Sequence, residues 1–307
     1  MEEILRIFPN HVSSVLLKVI NQRQKELQEI RIRQNQPIEV IFNHDFKRVR
    51  HIVTKEDITF ILNQLSEYSL YRLTDELREG YITIQGGHRI GLAGQVVSEK
   101  GSVKTIKHIS FLNIRIAKEQ INVATPIIKY LYKDNYLNTL IVGPPQAGKT
   151  TYLRDISRLI GLGWGSVEPK KVAIIDERSE IAACKDGVPQ HQIGMRTDVM
   201  DACPKAEGMM MVIRSMSPDV IIVDELGNDR DISALLEAIN AGVSVICTIH
   251  GNSLQQLKQR PSLKSIFVEK IFDRIIVLKN SKTPGYIHKI YDKKEENILI
   301  RNRSFIV

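Results

Sequence analysis

The chain has 307 residues, 43% hydrophobic and 25% charged, enough for a sizeable core and for one large domain or two ordinary ones. No apolar run reaches the ~18–20 residues of a membrane span, and the acidic start MEEILRIFPN lacks a signal-peptide pattern, so integral membrane and secreted classes are disfavoured. Three cysteines, Cys184, Cys203 and Cys247, are an odd number without metal-ligand spacing, as expected in a reducing, cytosolic setting.

The net charge of +8 is unevenly spread: Lys/Arg against Asp/Glu run 18 to 14 over residues 1–125, 13 to 16 over 126–257 and 12 to 5 over 258–307. The basic last segment could meet a nucleic acid, an anionic membrane surface or an acidic partner, or be a solvated surface of strands and turns.

In chain order, Asn10–Gln24 reads as a helix. ELQEIRIRQNQPIEVIF reads as strand, with Ile30, Ile32, Ile38 and Val40 supplying the alternation and Asn35–Pro37 as the turn. Thr54–Tyr71 has Ile58, Ile61, Leu62 and Leu65 at helical spacing behind a capping box of Thr54 and Asp57. The glycine-rich, alternating stretch from Tyr81 to Lys118 predicts two or three strands. Residues 1–122 are therefore expected to form an α+β domain, with a boundary near Glu119–Ala124 and a helix near Pro126–Tyr132. From Asn138 the pattern becomes strand–helix alternation. NTLIVG, KVAIIDE, DVIIVDE, SVICTIH and DRIIVLK are strands, with helices near 149–160, 206–216, 230–241 and 253–259. Strands apolar on both faces and separated by helices predict a mainly parallel sheet in an α/β domain over 123–307. Its ligands belong beyond the carboxyl ends of the strands. Six methionines between Met195 and Met216 fit either an adaptable interface or gap-filling on a helix packed against the sheet, the latter favoured.

Those strand ends carry the chemistry. GPPQAGKTT comprises Gly143, Pro144, Pro145, Gln146, Ala147, Gly148, Lys149, Thr150 and Thr151. It fits the phosphate-loop pattern in the required strand–loop–helix context. Backbone N–H groups would surround the β-phosphate of ATP, Lys149 would reach the β- and γ-phosphates, and Thr150 would ligate Mg²⁺. DVIIVDE delivers Asp224 to the metal shell, through water. Glu225 directly after it can orient and deprotonate an attacking water. That acid favours ATP hydrolysis by a RecA-like or AAA-like motor class over a kinase or a simple GTPase switch. In IIDERSE, Asp176, Glu177 and Glu180 crowd a neighbouring strand end. Either Arg178 screens these carboxylates from the triphosphate, or Glu177 and Glu180 position water, or the segment is a capped turn. His250, ending SVICTIH, would lie on the γ-phosphate side and sense its loss; a neutral imidazole bonded to the backbone is the blander alternative.

GPPQAGKTT, IIDERSE, RSMSPDVIIVDELGNDRD and CTIHGNS together resemble the Walker A, acidic, Walker B and histidine boxes of the secretion ATPases. These are the hexameric motors of type II and type IV secretion and pilus systems. Arg214 and Arg230 also stand where that family has arginines. Many members have glycine where Asp224 stands, and the four-cysteine zinc module is missing here. ELQEIRIRQNQPIEV, GGHRIGLAGQVV, IKHISFLNIRIAKE and CPKAEGMMMVIRSM extend the resemblance over nearly the whole chain, to sporulation-specific relatives in endospore-forming bacteria. The resemblance implies a RecA-like P-loop ATPase domain behind a smaller α+β domain, forming a homo-oligomer, in that family a hexamer. It implies a cytoplasmic, mother-cell protein that works on membrane channel proteins between mother cell and forespore, with peripheral membrane contact possible through the basic segment. It further implies that the first domain supplies arginines in trans, for which Arg89 in GGHRIGLAG and Arg115 in FLNIRIAK are the candidates. A RecA-type nucleic-acid-dependent ATPase and a non-enzymatic nucleotide switch are the alternatives. The first is disfavoured by the missing KH and RRM patterns and the few stacking aromatics near the basic segment.

Overall fold

The computed structural model describes residues 1–67, 74–99, 101–279 and 285–299; the end of the predicted Thr54–Tyr71 helix and the basic residues Lys282, Arg301 and Arg303 lie outside them. The chain divides into two compact units, Met1–Glu119 and Gln120–Val307.

The first unit begins with α1 (Glu2–Leu5), α2 (Asn10–Ile20), β1 (Leu27–Arg33), β2 (Pro37–Phe42) and β3 (Phe46–Ile52). It continues through α3 (Lys55–Leu65), α4 (Thr74–Glu79), β4 (Tyr81–Ile84), β5 (His88–Glu99) and β6 (Ser102–Arg115). The strands form one sheet in the order β3-β2-β1-β6-β5-β4, antiparallel throughout. Alternation decides which face is apolar. Ile30, Ile32, Ile38, Val40, Ile90 and Ile114 pack in one core with Val12, Leu16 and Ile20 of α2 and Ile58 and Ile61 of α3. Thr54 and Asp57 make both hydrogen bonds of the expected capping box on α3. β3 was not expected from FKRVRHI. It is an edge strand that buries only Val49, so charge dominates its sequence.

The second unit starts with a 3-10 turn at Ile128–Tyr130 where a helix over Pro126–Tyr132 was expected. Ile127, Ile128 and Leu131 are buried in the core, but the run is too short to offset helix nucleation. The preceding backbone is fastened instead to Asp155, whose carboxylate accepts the N–H groups of Asn122 and Ala124 at 3.0 and 2.7 Å. There follow β7 (Thr139–Gly143), α5 (Lys149–Leu162), β8 (Val172–Asp176), β9 (Thr197–Asp201), α6 (Lys205–Ser215), β10 (Val220–Val223) and α7 (Asp229–Asn240). The unit continues with β11 (Ser244–His250), α8 (Leu254–Lys258), α9 (Lys264–Val268), β12 (Arg274–Lys279) and β13 (Tyr286–Tyr291).

The sheet order is β13-β12-β7-β11-β10-β8-β9. All pairs are parallel except β12–β13. Ile141, Ile174, Ile222, Ile246 and Ile276 belong to one apolar layer, whereas Leu140, Ala173, Ile221, Cys247 and Ile275 belong to a second. Each of the five inner strands β7, β8, β10, β11 and β12 is thus covered on both faces. Full burial of one such isoleucine stabilises by about 1.5–3 kcal/mol. The five predicted strands are β7, β8, β10, β11 and β12; the unexpected β9 and β13 are the two edges. Met209 is buried while Met211 is exposed, so the methionine-rich helix packs one side on the sheet. The basic last segment is built into the sheet through β12 and β13, and its Lys258 and Lys293 pair with Glu295 and Asp273 at 2.5 and 3.1 Å. Among the described residues no helix is long and apolar enough to cross a membrane.

Candidate nucleotide-binding site

The parallel order brings the carboxyl ends of β7, β11, β10 and β8 side by side. Gly143, His250, Asp224, Glu225 and Asp176 therefore meet at one edge, where ligands of such sheets bind. After Gly143 the loop turns tightly: Gln146 and Gly148 have φ of 63° and 89°, the left-handed region that favours glycine. A Cβ on Gly143 would come within 3.2 Å of both Ala147 and Leu278. Gly148 caps α5 without a side-chain hydrogen bond, which leaves the first N–H groups of the helix for an anion.

Lys149 is only 5% exposed. Its Nζ donates to the Gly143 and Pro144 carbonyls at 3.2 and 3.1 Å and to His250 Nδ1 at 3.1 Å. Burial lowers its pKa, and the charges of Asp224 and Glu225 oppose that shift. No carboxylate makes an ion pair with Lys149 among the described residues. A desolvated cation held by neutral acceptors fits an anionic ligand such as a triphosphate. Thr150 Oγ1 donates to Asp224 Oδ2 at 2.7 Å, so two hard oxygen donors stand together, as Mg²⁺ requires.

Thr248, fully buried in β11, joins the strand ends. Its hydroxyl donates to Asp224 Oδ1 and accepts the Glu225 N–H at 2.9 Å. The residue was missed in the sequence, although a lone hydroxyl inside the apolar run SVICTIH was a usable signal. Glu225 itself has φ of 48°, a strained conformation for a residue with a Cβ. Its carboxylate accepts hydrogen bonds from Arg178 at 3.0 Å and His250 Nε2 at 2.5 Å. Because the Lys149 ammonium can only donate, His250 Nδ1 is the acceptor and Nε2 carries the proton. Lys149, His250 and Glu225 thus form one directed hydrogen-bond chain.

The acidic segment separates into different roles. Asp176 is 2% exposed and accepts three backbone N–H groups, from Glu180, Ile181 and Ala182, at 2.8, 2.9 and 2.8 Å. Burial pushes its carboxyl up to about 6, against the pull of these hydrogen bonds, and it serves as the cap of the turn. Glu177 is paired with Lys205, while the Glu180 carbonyl accepts Arg154 Nη2 at 2.7 Å. Glu177, Arg178, Glu180, Lys205, Asp224 and Glu225 line one crevice. Arg89 and Arg115 belong to the first unit, directly opposite each other on β5 and β6. The Arg89 guanidinium lies 3.5 Å over the Tyr81 ring; Arg115 is exposed.

This fold, a P-loop domain together with an α+β domain, is shared with solved ATPases. The Legionella pneumophila ATPase DotB superposes with a TM-score of 0.58 at 17% identity, over 88% of this chain and 76% of that one. The pilus retraction motor PilT, solved with bound ADP, superposes with 0.57 at 18% identity, over 85% and 77%. Within that architecture the chain belongs to the family described as Sporulation stage III, protein AA, whose profile matches residues 1–298. Stage III sporulation protein AA of Bacillus subtilis is 51% identical over 301 residues, 98% of each chain. The uncharacterized protein ycf45 of Cyanidium caldarium is 31% identical over 154 residues, 50% of this chain and 44% of its own.

Proposed function

We propose that the protein hydrolyses ATP as a motor serving a membrane channel during endospore formation, working as a homo-oligomer, most simply a hexamer, on the cytoplasmic mother-cell side. The observation that carries this reading is the continuous network from Thr150 through Asp224, Thr248 and Glu225 to His250 and Lys149. It joins a phosphate-binding group, a metal-binding pair and a base at one strand edge. Residues Gly143 to Thr151 wrap the triphosphate, and Thr150 and Asp224 hold Mg²⁺, which neutralises phosphate charge when bound. Glu225 accepts the proton of the attacking water. Lys149 leaves His250 for the phosphate oxygens, so His250 reports the filled site to Glu225, and Arg178 is the second group that holds this base. Glu177 and Glu180 flank the crevice as water-positioning candidates. Arg89 and Arg115 are the candidates for stabilising the transferred phosphoryl group of a neighbouring subunit.

The test is steady-state ATP turnover by the purified chain with Mg²⁺, set against turnover with EDTA, with single-stranded DNA and with membrane fractions. Metal-dependent turnover that DNA leaves unchanged and membrane channel proteins raise is expected. Turnover dependent on DNA would instead assign a nucleic-acid motor, and binding without turnover a switch.

A further inference from the structure

The first unit holds a cluster that the nucleotide chemistry does not use. His11 on α2, His51 on β3 and Asp57 in the first turn of α3 present one ligand atom each within 4.8 Å of one another. We infer that His11, His51 and Asp57 form a binding site for one divalent transition-metal ion of the zinc class.

The donor set is the first reason. Two imidazoles and a carboxylate suit zinc and its neighbours, whereas Mg²⁺ and Ca²⁺ take oxygen ligands. Spacing is the second. His11 Nε2 lies 3.2 Å from Asp57 Oδ1, and His51 Nε2 lies 2.7 Å from Asp57 Oδ2. A tetrahedral ion with bonds of about 2.0–2.2 Å holds neighbouring ligand atoms about 3.3 Å apart, so small ring rotations admit it.

Preorganisation is the third. Asp57 is only 4% exposed, and the Thr54 N–H fixes its Oδ2 at 2.9 Å as part of the α3 capping box. The two imidazoles sit edge to face at 5.2 Å, both turned toward this one carboxylate from elements about forty residues apart in sequence. The His11 side chain is 63% exposed, which leaves an open side for water as a fourth ligand. Metal ligated here ties α2 and α3 to β3, an edge strand that buries only Val49 and pairs with β2 alone in the sheet. Without metal, His51 Nε2 hydrogen-bonds Asp57 Oδ2 at 2.7 Å and His11 Nε2 stands 3.2 Å from Oδ1, so the carboxylate keeps its partners in the metal-free state.

The experiment uses the full chain, stripped with a chelator and then titrated with Zn²⁺ by calorimetry, alongside thermal unfolding. One equivalent is expected to bind and raise the unfolding temperature, while Mg²⁺ and Ca²⁺ do not reproduce the effect. His11→Ala removes an exposed side chain and leaves the stripped protein folded. It is expected to weaken this Zn²⁺ binding by about 10–100-fold or more, and His51→Ala should do the same. Bound Co²⁺ should show the intense visible absorption of a tetrahedral site, lost in His11→Ala. Zn²⁺ affinity and thermal shift unchanged in both histidine variants would overturn the assignment, as would failure to saturate at one equivalent. Measuring the same titration in Asp224→Ala separates this site from any Zn²⁺ taken up beside Thr150.

Discussion

The two units solve burial differently. In the first, antiparallel strands bury one face, and Glu29, Arg31, Arg33 and Glu39 stand on the other. In the second, β7, β8 and β10 are buried along their whole length on both faces. A strand covered on both sides can place polar chemistry only at its ends, so the candidate site collects at one edge of that sheet. A one-sided sheet spreads its charges along its length, and no single position announces a role. Arg115 stands between Arg89 and Glu29 in such a row.

The largest expected effect would break this contrast between a chemical unit and a scaffold. If Arg115 acts in trans, Arg115→Ala lowers turnover by about 10³–10⁵-fold. Mixing it with Glu225→Gln subunits then restores part of the activity, because some interfaces regain both halves. Loss without rescue in confirmed oligomers would leave the first unit as a scaffold, and Arg89→Ala is the parallel trial.

Within the second unit, Glu225→Gln should slow hydrolysis by about 10²–10⁴-fold, the usual worth of a positioned base, with ATP binding retained in a direct titration. Near-normal turnover would move the base role to Glu177 or Glu180. Lys149→Ala should weaken ATP binding by about 10²-fold or more, since the phosphates lose a charge-assisted contact. His250→Ala should reduce turnover more than affinity, and unfolding would instead mark the imidazole as structural.

The smallest effect sharpens the same contrast. Thr54→Ala and Asn228→Ala each remove the N-cap of a capping box, on α3 and α7. Each should cost about 1 kcal/mol, read by urea unfolding with separate probes for the two units. If the units melt independently, each variant shifts only its own transition.

Much of this was legible beforehand because short-range rules governed it. Ile30, Ile32, Ile38 and Val40 alternate since each strand has one wet face, and Thr54 with Asp57 caps α3 within four residues of chain. The glycine-rich loop was legible because Gly143, Gly148 and Lys149 fall at fixed spacing within one short stretch of chain. β3, β9 and β13 escaped notice because edge strands bury little and so carry a weak apolar period. The expected helix near Pro126 failed for a different reason. Its apolar run is too short to offset helix nucleation, and a single 3-10 turn at Ile128–Tyr130 forms in its place.

By itself the sequence determined the inner strands and long helices of the second unit, the glycine-rich loop after β7, and the strand-end positions of Asp224, Glu225 and His250, since each depends on neighbours within one strand or turn. Only the tertiary structure decided how those groups are wired. The parallel order places β11 between β7 and β10, so His250 spans Lys149 and Glu225 and Thr248 supports Asp224. It likewise decided that Asp176 is a buried cap while Glu177 faces Lys205. The convergence of His11, His51 and Asp57 was also settled there, because strand and helix packing, rather than chain proximity, sets distances between residues far apart in sequence.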